Sequence, residues 1–140
     1  MKKSSIQFIS PRKSQQLTDL AEHARVSLSR YAGIAVDYNA VGLQTLDEWI
    51  DRHIRQFPNP SREIRTVWGA FLGETFRRRF EGQWGIDNSS RPIRLGVVCP
   101  KETEGLVFVG IMDQIARRIR AGMSESLAFY YTIEGVDIKS

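Results

Sequence analysis

The chain is poor in the residues that build metal and disulfide chemistry. Among its 140 residues, Cys99 is the one cysteine, and His23 and His53 are the only histidines. A lone cysteine excludes an intrachain disulfide and points to a reducing compartment, the cytoplasm. No Cys-x-x-Cys, His-x-x-x-His or His-Glu-x-x-His spacing occurs, so a structural zinc is excluded and no metal ligands are assigned. No apolar run approaches the length of a membrane span, so no membrane partner is expected. The basic opening Met1-Lys2-Lys3 leads into an apolar piece too short for a signal peptide, which Arg12 and Lys13 then close. There is no Gly-x-Ser-x-Gly elbow, no cysteine–histidine signature and no Gly-rich phosphate loop. Neither a catalytic signature nor a cofactor is read from the chain.

What is present is a folded domain's composition: 41% apolar and 26% charged residues. The net charge of +4 is spread out, with ten basic and seven acidic groups in residues 1–70 and ten and nine in residues 71–140. That mixture permits contact with nucleic acid without arguing strongly for it.

The stretch from Asn59 to Trp84 organises the rest. Ile64, Val67, Trp68, Phe71, Leu72, Phe76 and Phe80 recur at spacings of three and four, the mark of a wide apolar helix face. Asn59 is read as its N-cap, Pro60 as its first residue and Gly82 as its stop. Gly69 and Gly73 each cost about 1 kcal/mol relative to alanine inside a helix, and close approach of another backbone is the expected offset.

A first helix is predicted from Pro11 to Tyr31 and a second around Leu43 to Phe57, after a turn at Asn39 to Gly42. On the second helix Asp47, Glu48 and Asp51 fall away from the apolar centre, while His53 lies on the apolar side and is read as hydrogen-bonded and partly buried. After Gly82 the period becomes two, and three short strands follow, around Trp84–Ile86, Ile93–Cys99 and Leu106–Val109. Polar links short enough for hairpins make an antiparallel meander. A helix from Ile111 to Gly122 and a last one capped by Ser124 complete the chain. Residues 1–9, with a short strand around Ile6–Ile9, and residues 134–140 are read as loose arms. The fold class is α+β, one domain over residues 1–140, with helices and sheet in segregated layers.

Glu74 flanks the apolar face of the central helix. A buried carboxylate there could act as acid or base, but pairing with Arg77 or Arg78, one turn on, is favoured. Arg77-Arg78-Arg79 invites a phosphate reading, extended by Arg91, Arg94, Arg117, Arg118 and Arg120. Consecutive helical residues diverge by about 100°, so a solvated face is favoured over an anion clamp. Cys99 ends an inward strand register and is read as a buried, inert thiol. In that register Trp84, Leu95, Val97 and Phe108 face the core, while Val98, Val107, Val109 and Arg94 face outward, too apolar for an ordinary solvated face.

Trp68-Gly69-Ala70-Phe71-Leu72-Gly73-Glu74, followed by Gly82-Gln83-Trp84, resembles a pattern of small bacterial proteins of uncharacterised function. There the helix reads Leu-Gly-aromatic-Leu-Gly-Glu and Gly-Gly-x-Trp opens a strand. Val36-Asp37-Tyr38, Leu46-Asp47, Leu127 and Phe129-Tyr130 extend the likeness over residues 34–130. The chain departs from it at Trp68, where the pattern has leucine, and at Gln83, in place of the second glycine. The resemblance implies an α+β domain of bacterial origin and carries no reaction with it.

The expectation is a non-enzymatic protein-interaction module, working through an unidentified protein partner or as a homodimer. The alternative is a basic nucleic-acid-binding protein. Glu74, Arg77, Arg78, Trp84, Arg94 and Val98 are the candidate binding residues.

Overall fold

The computed structural model describes residues 5–89 and 91–139. Its elements run β1 (Ile6–Phe8), α1 (Pro11–Ala32), α2 (Ala40–Gln56), α3 (Arg62–Phe80), β2 (Gln83–Asp87), β3 (Arg94–Pro100), β4 (Leu106–Val109), α4 (Ile111–Ala121), a 3-10 turn (Gly122–Glu125) and α5 (Leu127–Lys139). The class is α+β. The strands form one antiparallel sheet in the order β1-β2-β3-β4. It has four strands rather than the three of the expected meander, because the short strand expected around Ile6–Ile9 forms and pairs instead of lying in a loose arm: Gln7 lies opposite Ile86 and Phe8 opposite Gly85. Residues 1–4 of that arm lie outside the described residues. The other expected arm is helical as far as Lys139, and Ile138 is buried.

Side-chain chemistry explains most helix ends. Ser10 caps α1 by accepting from the Lys13 N–H at 3.2 Å, with Pro11 next, and Gly33 closes the helix at φ +72°. Asn39 accepts from the Gly42 N–H at 2.8 Å, so the expected turn at Asn39–Gly42 is the first turn of α2. Ser61, not Asn59, caps α3, accepting from the Ile64 N–H at 3.2 Å. The stop of α3 also differs from expectation. Glu81 takes the left-handed position at φ +54°, which glycine normally fills. Gly82 serves instead as a close-approach residue, because a Cβ there would lie 2.7 Å from Val97 Cγ1 and 2.9 Å from Cys99 Sγ.

α3 is the centre of the molecule. Trp68, Ala70, Phe71, Leu72 and Phe76 are buried, and α1, the sheet, α4 and α5 all pack on it. A helix apolar over so much of its circumference has to be covered on several sides. Buried Leu17, Ala21, Ala24 and Leu28 of α1 and Leu43, Leu46 and Ile50 of α2 complete that layer.

The sheet faces correct the expected register. Trp84 pairs with Val97, Val97 with Val109 and Cys99 with Val107, so Val107 and Val109 lie on the core face. Val98 pairs with Phe108, and both lie on the opposite face with Arg94. Phe108 is tolerated outside because the Arg94 guanidinium stands 5.1 Å from its ring centroid. The ring in turn covers Gly96, where a Cβ would lie 2.8 Å from Phe108 Cζ. Val98 is thereby buried within its own sheet, and Phe8 and Leu106 are the large apolar residues exposed on this face. The expected valine patch does not exist as a surface.

Candidate functional site

The motif residues of α3 and β2 form one structural unit. A side chain at Gly73 would run into the Trp84 indole, 2.5 Å from Cζ2, so the glycine makes room for an indole rather than for the backbone expected. The indole Nε1–H donates to Glu74 Oε2 at 3.1 Å. Glu74 has no exposed surface and also accepts from Arg77 Nε at 2.9 and 3.0 Å, from Arg77 Nη2 and from Arg78 Nε at 3.2 Å. Thr18 of α1 adds a hydroxyl at 3.4 Å. Burial pushes the Glu74 carboxyl up, but the Arg77 and Trp84 hydrogen bonds outweigh it and hold the group below its ordinary value. A carboxylate so fully answered is a structural anion. It has neither the raised pKa nor the open side of a general acid.

The network extends to α1. The Arg78 guanidinium lies 4.1 Å from the Tyr38 ring centroid, Tyr38 stacks on Phe71, and the Tyr38 hydroxyl donates to Glu22 at 2.9 Å. Arg25 holds the same carboxylate, and these bonds lower the Glu22 pKa to about 2. Arg77 and Arg78 are therefore engaged within the protein.

A second buried unit was hidden from sequence reasoning. Asp47, expected on the polar side of α2, is buried, and so is Arg118, expected in a basic surface. Asp47 Oδ1 accepts from Arg118 Nε at 2.8 Å and from the Leu127 N–H at 3.0 Å. Asp47 Oδ2 accepts from the Ser126 hydroxyl at 2.9 Å and the Ala128 N–H at 3.1 Å. The carboxylate thus meets the first N–H groups of α5 from another helix, where an anion is favoured. Ser126, not Ser124, is the local cap, accepting from the Phe129 N–H at 3.3 Å. The available signal was the pairing of Asp47 with an N-cap serine ahead of an apolar helix; nothing local joins residues so far apart in sequence.

The remaining arginines divide among separate places. Arg117 holds Gln114 Oε1 at 2.7 and 3.0 Å. Arg78 and Arg79 border a cleft of about 470 Å³ with Lys101 and Lys139, where Glu81 and Glu102 supply opposite charge. Arg91 and Arg94 join Arg62 and Arg65 around another, of about 510 Å³. His23 and His53 line one small pocket of about 190 Å³ with Trp49 and Trp68. His53 makes ring contacts, edge-on to Trp68 at 5.3 Å, in place of the expected hydrogen bond. Among the described residues no group of three or more potential metal ligands gathers. Burial pushes the Cys99 thiol up to about 12, the state of an inert sulfur.

The outward side of α5 departs from an ordinary solvated surface. Phe129, Ile133 and Val136, at i, i+4 and i+7, are 64%, 48% and 63% exposed. They form one stripe along the helix. A groove of about 480 Å³ between α2 and α5 runs beside it, bordered by Gln44, Glu48, Met123 and Phe129.

Comparisons of the chain with protein-family models, with curated proteins and with solved structures return no match. Of the residues on which the expected resemblance was drawn, Gly73, Glu74 and Trp84 meet in one unit and Asp47 and Leu127 in the other. No helix is long and apolar enough to cross a membrane among the described residues.

Proposed function

We propose that this protein is a non-enzymatic interaction module that docks through the outer stripe of α5, and that the occupant is a second copy of the chain. The observation carrying the reading is that α5 is apolar on both sides. Leu127, Ala128 and Ile138 face the core, and Phe129, Ile133 and Val136 remain exposed opposite them. A helix with two apolar sides needs cover on both. An antiparallel pair of α5 helices closes on itself, as a two-fold contact must. Phe129 of one copy meets Val136 of the other, Ile133 falls near the axis, and Lys139 of one copy approaches Glu125 of the other. Exposed Met123 in the α2–α5 groove widens the patch. A stable interface needs roughly 800 Å² per partner, more than a single helix stripe supplies.

The nucleic-acid alternative has less support. Arg77 and Arg78 are held by Glu74, and Arg118 is buried against Asp47. Among the described residues, Arg79 and the group Arg62, Arg65, Arg91 and Arg94 line two separate clefts, whereas a polyphosphate backbone follows a continuous track.

Sedimentation velocity on the wild type and on Phe129→Asp and Val136→Asp tests the reading. The wild type is expected to sediment as a dimer, and each variant as a monomer with an unchanged far-UV spectrum. A wild type that stays monomeric at high micromolar concentration overturns the proposal, as does a dimer that survives both substitutions.

A further inference from the structure

The cleft between the start of α3 and the start of β3 has a composition that neither packing nor the α5 interface accounts for. Arg62 and Arg65 come from the first turn of α3, Arg91 from the β2–β3 link and Arg94 from β3. The cleft measures about 510 Å³, within the roughly 300–1,000 Å³ of small-ligand sites. Only Arg94 is compensated, by Asp113 Oδ2 at 2.6 Å and Asp87 Oδ2 at 3.3 Å. Among the described residues Arg62, Arg65 and Arg91 have no ion pair, and Arg65 Nε is buried without a hydrogen-bond partner. Arg62 and Arg91 are exposed and Arg65 is half-buried, so all three charges are open to a ligand arriving from solvent. The rest of the lining is Thr66, the Asp113 carboxylate, which is held by Arg94, and an apolar side of Pro92, Ile93, Leu95 and Met112. Ile93, just before β3, is exposed.

We infer that this cleft binds a small organic phosphate, with the phosphate on the arginines and an apolar body on the Ile93–Met112 side. Three uncompensated guanidiniums call for a ligand carrying more than one negative charge, which a phosphate monoester supplies and a monocarboxylate does not. The planar fork of arginine suits phosphate oxygens two at a time. A half-open cleft of this size accommodates one small ligand, whereas a nucleic acid requires basic groups extending beyond it. Of those beyond it on α3, Arg77 and Arg78 are occupied by Glu74, and Arg79 borders a separate cleft with Glu81 and Glu102.

Isothermal titration at constant ionic strength, with phenyl phosphate, inorganic phosphate and benzoate as probes, tests the inference. Phenyl phosphate is expected to saturate one site per chain and to bind more tightly than either of the others. Arg65→Gln and Arg91→Gln are each expected to weaken it about tenfold or more, the loss of a charge-assisted pair. Arg120→Gln, an exposed charge at the end of α4, is expected to leave it unchanged. Arg91 lies on a connecting loop, so its variant keeps the test valid should Arg65→Gln impair folding. No saturable binding of phenyl phosphate overturns the inference. So does equal weakening by Arg120→Gln, which would mark bulk charge, or a mixed-sequence oligonucleotide that binds more tightly than phenyl phosphate and is insensitive to Arg91→Gln.

Discussion

Asp47 and Arg118, 71 residues apart in sequence, form a buried ion pair at 2.8 Å that ties α2 to α4 and, through the Leu127 and Ala128 N–H groups, to α5. Arg118 Nη2 also donates to the Asp47 carbonyl at 2.9 Å and to Asp51 Oδ1 at 2.7 Å. This carboxylate anchors the start of α5, whose further course is set by the packing of Tyr130 and Tyr131 on Phe76.

Asp47→Asn keeps the shape of the side chain and removes its charge, which leaves Arg118 poorly compensated in the interior. Breaking a buried pair from one side costs about 3–5 kcal/mol. A loss of that size in urea-denaturation stability is expected. Asp51→Asn, at a carboxylate 37% exposed, is expected to cost about 1 kcal/mol or less. Equal effects of the two substitutions would show that Asp47 has no special role.

Gly73→Ala places a methyl group against the Trp84 indole. Overpacking of a filled interior costs about 1–3 kcal/mol, and the displaced ring also loses its hydrogen bond to Glu74. A lower urea midpoint and an altered near-UV tryptophan signal are expected together. An unchanged midpoint would mean that the ring can move aside freely.

The Glu74 carboxyl sets a pH dependence of definite sign. Its folded pKa lies below the ordinary value, so the unfolded chain takes up the proton first as pH falls. The stabilisation is complete above about pH 5 and is lost as pH drops through the ordinary carboxylate pKa, about 4.3, toward the folded one. Glu74→Gln is expected to lower stability at neutral pH and to flatten the acid limb of the stability curve. An acid limb equally steep in the variant would assign it to other carboxylates, Glu22 among them.

Much of the fold was legible because it is periodic. The aromatic face of α3, the Ser10-Pro11 start of α1 and the strand alternation after Gly82 are local patterns. They placed the elements nearly where they lie. The local misses are helix ends, where Ser61, Glu81 and Ser126 take the places expected of Asn59, Gly82 and Ser124; the larger misses are non-local. Alternation separates Phe108 from Val107 and Val109 but does not say which side faces the core; the pairing of Val97 with Val109 and the cation over Phe108 decide that. Asp47 and Arg118 look like solvated charges on their own helices, and only the chain's return brings them together. Of the candidate residues, Glu74, Arg77, Arg78 and Trp84 meet in one network, while Arg94 and Val98 lie on the far face of the sheet. The α5 stripe was missed because an apolar helix reads as buried until its neighbours are known.

Cross-linking across the proposed two-fold axis tests the α5 contact most directly. Cys99 is buried with its pKa pushed up to about 12, so it does not compete with an introduced thiol. Under mild oxidation Ile133→Cys is expected to give a disulfide-linked dimer rapidly and nearly completely, since residues beside the axis of an antiparallel helix pair approach within disulfide reach. Glu104→Cys, in the exposed β3–β4 turn, is expected to remain monomeric under the same conditions. An Ile133→Cys protein that cross-links no faster than Glu104→Cys would contradict the account.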